Sequence, residues 1–185
     1  MDPDETFSRG ETTKLYAFLE LTNQAKEKSK VTVTFIPPQG RESTMTAHRH
    51  IIAILRGVTN AEVVAVCEKL VEAGITMIEV PLNSPEPFTS IAAAAKAMAG
   101  RAEVGAGTVL DPPEVDRLRQ TGGTFVVSPD TNEAVIARTR ELGMASYPGI
   151  FSPTDAFRAI RAGATGLKFF PAEVLGTKGI KAMKA

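Results

Sequence analysis

Residues 60–80 read NAEVVAVCEKLVEAGITMIEV, and the order of their parts decides the fold. Apolar residues recur at spacings of three and four up to Val71, which describes one face of a helix. Gly74 follows, where a left-handed residue closes a helix. Then comes TMIEV, a short apolar run of strand length. The same succession of helix, glycine and strand continues on both sides. Strand-like runs stand at IIAIL (51–55), TMIEV (76–80), AEVGA (102–106), TFVVS (124–128), MASYP (144–148) and TGLKFF (165–170). Helical stretches such as PPEVDRLRQTG and NEAVIARTRELG lie between them, and Gly122, Gly143 and Gly163 each stand just past a helix. This alternation builds parallel sheets from βα units.

An open doubly wound sheet and a closed eight-stranded barrel both produce that alternation. Arg56, Glu79, Asn83, Thr108, Ser128 and Lys168 lie at or just after the C-terminal ends of five different strands, which suits a barrel with one mouth. The expected fold class is therefore α/β, a TIM-type (β/α) barrel with about six of the eight βα units present. About two units, roughly 40 residues, are expected to be missing beyond the helix that follows the sixth strand. Residues 1–44 stand outside the repeat. TTKLYAFLELTNQAKEKSK is expected to form an amphipathic helix, VTVTFIPP a short edge strand ended by proline, and QGREST a polar linker. The reading is an N-terminal extension over 1–44 and an incomplete barrel over 45–185, with Met45 near the natural start of the domain.

Composition narrows the function classes. With 43% hydrophobic residues the 185-residue chain can bury a substantial core. Lys and Arg together number 21, as do Asp and Glu, so no net field draws the chain to nucleic acid or to an anionic membrane. A single cysteine, Cys67, excludes an internal disulfide framework and fits a reducing compartment. No apolar run approaches the roughly 18 residues needed to span a bilayer, and Met1 is followed by acidic and polar residues, so a cytoplasmic location is expected. His48 and His50 have no cysteine or carboxylate cluster beside them, so no metal is implied.

Two ionisable residues sit in runs that should be buried. Lys168 lies between Leu167 and Phe169, on the same strand face as Gly166 and Phe170. Burial of an ammonium favours the neutral amine, which is the form that attacks a ketone to make an imine. A free lysine is neutral only about once in a few thousand molecules at pH 7. The plain alternative is a gatekeeper lysine on an exposed edge strand. Glu79, flanked by Ile78 and Val80, would shuttle protons beside such an amine, or else form a structural ion pair at the barrel mouth. Arg56 would clamp a carboxylate with its planar fork, or remain a solvated loop residue. In VGAGTVL two glycines precede Thr108 and would allow a ligand close to the backbone, but the run is no dinucleotide fingerprint. Ser128 lacks a nucleophile-elbow frame and a following histidine.

Together IIAILRGV, IEVPLNSP, VGAGTVL, VSPDTN, PGIFSPTDAF and GLKFFPAEVLG, in this order, resemble the class I 2-keto-3-deoxy-6-phosphogluconate and 6-phosphogalactonate aldolases over about residues 47–185. KFFPAE resembles that family's Schiff-base motif and IEVPLNSP the segment with its catalytic glutamate. Asn83 in PLNSP, paired with Arg56, resembles the galactonate branch. The resemblance implies that Lys168 forms an imine with the substrate C2 ketone and that Glu79 moves protons through water. It implies that Arg56 and Thr108 hold the carboxylate end, and that Pro129 and Phe170 shape the pocket. The implied reaction splits a phosphorylated keto-deoxy sugar acid into pyruvate and glyceraldehyde 3-phosphate, with no metal or organic cofactor, in a homo-oligomer, a trimer by resemblance. Family members carry two further strands whose glycine-rich ends bind the substrate phosphate, so weak or lost activity is expected of this chain. The alternative is a non-catalytic aldolase-like fragment or an oligomer scaffold.

Overall fold

The computed structural model describes residues 17–22, 32–33 and 51–183. The N-terminal strands are β1 (Ala17–Thr22) and β2 (Thr32–Val33). The repeat then runs β3 (Ile51–Arg56), α1 (Val63–Glu72), β4 (Met77–Pro81), α2 (Pro87–Ala97), β5 (Glu103–Gly107), α3 (Pro112–Gln120), β6 (Phe125–Val127) and α4 (Glu133–Glu141). It continues through β7 (Ala145–Tyr147), β8 (Gly149–Ile150), α5 (Pro153–Arg161), β9 (Lys168–Phe169) and α6 (Ala172–Met183). The six strand runs expected from the sequence are all present, the first lengthened by Arg56 and the others shifted by one residue or trimmed. Gly74, Gly122, Gly143 and Gly163 all take positive φ where their helices end. Capping boxes open α3, at Asp111 and Glu114, and α5, at Ser152 and Asp155.

Strand order decides between the two architectures. The main sheet runs β2-β1-β3-β4-β5-β6-β7, so the strands of the repeat are neighbours in chain order and all pair in parallel. A doubly wound sheet would reverse direction at a switch point, whereas consecutive parallel strands make a barrel wall. The fold is a partial TIM-type barrel. Between β7 and β8 the chain passes Pro148, and β8 pairs with β9 in a separate two-stranded sheet, Gly149 opposite Lys168 and Ile150 opposite Phe169.

Each face of the wall has its own core. Ala53, Leu55, Ile78, Val80, Val104 and Ala106 pack with Val63, Cys67, Ile91 and Leu118 of the helices. On the other face Ile52, Met77, Phe125, Val127 and Tyr147 form a smaller cluster, with the Phe125 and Tyr147 rings edge to face at 6.0 Å. Forked pairs tie the outer side, Arg101 in the turn after α2 to Glu68 of α1 and Arg138 of α4 to Asp116 of α3. These exposed bridges add little to stability beside the buried cores.

The N-terminal segment departs from its reading. Ala17–Thr22, expected to be helical, is a strand that pairs in parallel with the whole of β3, from Ala17 opposite Ile51 to Thr22 opposite Arg56. The first strand of a barrel wall offers a row of unpaired N–H and C=O groups, and pairing with it outweighs a modest local helix preference. Thr32–Val33 is antiparallel to β1 at the sheet edge, in line with the edge strand read there. The remainder of the expected helix, the linker, His48 and His50 lie outside the described residues. Among the described residues no helix is long and apolar enough to cross a membrane.

Candidate active site

Because the strands are parallel, their C-terminal ends share one rim, and the predicted residues gather along it. Glu79 sits inside β4 at 2% exposure, in a row that runs Ile54, Glu79, Gly105, Phe125 and Ala145 across the wall. A carboxyl this deep needs room in a wall of close-packed strands, and glycine supplies it. A Cβ at Gly107 would stand 2.6 Å from Glu79 Oε1 and 2.8 Å from its Cδ, inside any real contact distance. The two glycines of VGAG thus shape the wall on either side: Gly107 admits the carboxyl and Gly105 admits the Phe125 ring.

Arg56, half-buried at the end of β3, donates from Nη1 to Asn83 Oδ1 at 3.1 Å. One residue on, the Gly57 N–H donates to Ser84 Oγ at 3.0 Å. The PLNSP loop after β4 therefore grips the end of β3 at two successive residues. Leu82 N–H in the same loop donates to Gly107 C=O at 2.8 Å, which ties it to β5 as well. Thr108 follows with φ +58°, a left-handed conformation that a β-branched residue adopts at a cost of about 1–3 kcal/mol. Strain of this kind persists where the surroundings over-determine the backbone, and here it lies on the rim beside the Glu79 carboxyl.

At the other end of the wall stands Lys168. It is half-buried rather than buried, because β9 is the outermost strand of the two-stranded sheet. Its Nζ lies 5.1 Å from the centroid of the Phe170 ring, as expected for alternate residues on one face. Phe170 is 43% exposed and so is not a core residue, while Phe169 is the one that packs against the Ile136, Ile150 and Ala159 cluster. Pro129, half-buried after β6, lays its carbonyl over β8, so that a Cβ at Gly149 would collide with Pro129 O. Gly149 is the register partner of Lys168.

The predicted residues thus form two groups: Arg56, Glu79 and Thr108 around β3 to β5, and Pro129, Lys168 and Phe170 around β6 to β9. Polar side chains that the sequence reading did not single out knit the rim between them. Asn132 Nδ2 donates to Leu110 C=O at 3.0 Å, and Thr131 Oγ1 donates to Gly149 C=O at 2.7 Å. Together with Ser84 they share one signal, a short polar side chain in the loop just after a strand, which also fits ordinary loop chemistry. Among the described residues no group of three or more His, Cys, Asp or Glu side chains is placed to hold a metal ion.

The sequence model of the KDPG and KHG aldolases, an aldolase family, matches residues 42–185. A Rhizobium meliloti (strain 1021) protein named "Probable 2-dehydro-3-deoxy-6-phosphogalactonate aldolase" is 50% identical over 137 residues, 74% of this chain and 65% of that protein. The 2-dehydro-3-deoxy-6-phosphogalactonate aldolase of Escherichia coli (strain K12) is 44% identical over 135 residues, 73% of this chain and 66% of that protein. A solved structure described as native KDPGal superposes with a TM-score of 0.71 at 44% identity, over 72% of this chain and 65% of the other. The chain spans just under two thirds of the length of these relatives. The match across residues 42–185, with these relatives and the shared fold, shows that the chain belongs to the KDPG and KHG aldolase family.

Proposed function

We propose that this rim is a Schiff-base aldolase site that takes a phosphorylated 2-keto-3-deoxy sugar acid, the galactonate epimer in preference to the gluconate. What supports the reading is that Glu79 lies in β4 of the main parallel sheet and Lys168 in β9 of the adjoining parallel pair, both within the matched residues 42–185. In this reading the Lys168 amine adds to the C2 ketone and loses water to give an imine. The imine then accepts the electron pair of the breaking C3–C4 bond as an enamine. The C4 hydroxyl proton leaves as the aldehyde forms, and Glu79, through a water, takes and returns protons in the carbinolamine and enamine steps. Hydrolysis of the pyruvate imine frees Lys168. Arg56 and Thr108 bind the carboxylate end, and Pro129 and Phe170 bound the pocket.

The preference for the galactonate epimer rests on PLNSP and on the Arg56 to Asn83 hydrogen bond, and on the names of the Rhizobium meliloti and Escherichia coli relatives. In this reading residues 45–185 form the aldolase part and residues 1–44 an extension, whose β1 pairs with β3. A cytoplasmic homo-oligomer completes the reading, in keeping with Cys67 as a lone buried thiol. Imine formation between Lys168 and pyruvate is expected. The test is pyruvate release from each phosphorylated epimer, compared with Lys168→Met. Release by the wild type that Lys168→Met abolishes supports the reading, and equal release by both proteins refutes it. A non-catalytic scaffold would neither release pyruvate nor trap it on Lys168.

A further inference from the structure

The barrel wall is interrupted at Pro148, and this places the two reactive side chains on different sheets. Glu79 belongs to the main sheet through β4, whereas Lys168 belongs to the pair β8–β9. β8 follows β7 with only Pro148 between them, so beyond that covalent link the relative position of the two side chains depends on the hydrogen bonds that fasten the small sheet to the large one. At the base of the wall the fastening runs through Thr165. Its N–H donates to Ser146 C=O at 2.8 Å, and its Oγ1 accepts from Ser146 N–H at 3.0 Å. At the rim, next to the lysine, it runs through Thr131.

Within the β8–β9 pair, the Lys168 N–H donates to Pro148 C=O at 2.9 Å and the Phe170 N–H donates to Ile150 C=O at 3.0 Å. Strand geometry alternates, so the intervening residue, Gly149, turns its carbonyl away from β9. The Thr131 hydroxyl meets that carbonyl at 2.7 Å. A side chain from the loop after β6 thus supplies the bond that a continuous ladder would have supplied. The contact is close because Gly149 lacks a side chain and the Pro129 to Asp130 backbone lies directly on it. Asn132 then anchors the same loop on its other side, by capping α4 and by donating to Leu110 C=O.

We propose that Thr131 is a positioning residue for Lys168, holding its strand against the main sheet through the Gly149 carbonyl. The inference rests on the aldolase reading for its catalytic consequence but not for its structural one. Two measurements separate these. Hydrogen exchange reads the amides of Lys168 and Phe170, with Leu82 on the far side of the rim as internal control. Borohydride reduction in the presence of pyruvate reads the adduct on Lys168.

In Thr131→Val the Lys168 and Phe170 amides should exchange about three- to tenfold faster, the range that loss of one hydrogen bond of ordinary net strength covers, while Leu82 is unchanged. Adduct formation at saturating pyruvate should slow by a similar factor with little change in the half-saturating concentration. Thr131→Ser, which keeps the hydroxyl, should restore both. If Thr131→Val fails to fold, Thr131→Ala is read in the same way. Wild-type exchange at both amides in the variant, or a Thr131→Ser as impaired as Thr131→Val, overturns the proposal. If the wild type itself traps no pyruvate, the aldolase reading falls, and the exchange data alone decide whether Thr131 holds the β8–β9 pair.

Discussion

Glu79 and Lys168 are both ionisable residues set in apolar strand runs, and the fold treats them differently. Glu79 lies in the second strand of the repeat, paired on both sides, and is 2% exposed. Lys168 lies on the outer strand of a two-stranded sheet beyond the break at Pro148 and keeps a share of solvent. A strand sequence specifies which face a residue takes, but neighbours on both sides decide how deeply that face is buried. One end of the wall is a finished interior, and the other is held together by loops and by Thr131.

The sharpest way to break this contrast is to empty the finished end. Phe125 is fully buried between Gly105 and the Tyr147 ring, and Phe125→Ala should cost about 3–5 kcal/mol in denaturant unfolding. Filling the two glycine spaces should have a smaller effect that differs between the ends. Gly149→Ala collides with the Pro129 carbonyl and Gly107→Ala meets the Glu79 carboxyl at 2.6 Å. Each should cost about 1–3 kcal/mol, with Gly149→Ala at the upper end, because backbone yields less readily than a side chain. Adduct formation on Lys168 should suffer more in Gly149→Ala, which presses on the lysine's own register partner.

Two titrating groups sharpen the comparison further. Ser152→Ala removes the cap of α5, at the loosely held end, and should cost about 1 kcal/mol. The Ser152 hydroxyl, followed by the Phe151 and Ser152 amides, holds the Asp155 carboxyl below its ordinary value of 3.8. Because the folded value is depressed, this stabilisation is full above the unfolded value and is lost as pH falls through the folded one. Ser152→Ala should therefore flatten the acid limb of a stability profile. At the finished end, burial pushes the Cys67 thiol from 9.0 up to about 11. A raised thiol value means that the unfolded state loses its proton first, so stability should decline as pH rises from about 9 towards 11, and Cys67→Ala should remove that slope. Alkylation of Cys67 in the native protein should be slow at neutral pH.

Much of this was legible in the sequence, for reasons that particular residues make plain. NAEVVAVCEKLVEAGITMIEV announces a helix, its glycine stop and a strand because each part has its own period and punctuation, and α1, Gly74 and β4 follow in that order. The packing of Glu79 beside VGAG was half legible: the glycines signalled close approach without saying to what. Ala17–Thr22 misleads because its partner, the edge of β3, is nearly thirty residues away in the chain, and helix periodicity carries no information about a vacant edge. The exposure of Lys168 and the bond from Thr131 to Gly149 depend on the break at Pro148, a feature of strand pairing that a single proline in MASYPG does not disclose.

Lys168, in the β8–β9 pair, is proposed to act as an imine-forming amine. Incubating the 185-residue protein with pyruvate and borohydride, then locating the added mass by peptide mapping, tests it most directly. The account predicts one stable adduct on Lys168, absent in Lys168→Met and slowed in Thr131→Val. A wild-type protein that gains no mass at Lys168, or gains it equally on surface lysines such as Lys69 and Lys96, would contradict it.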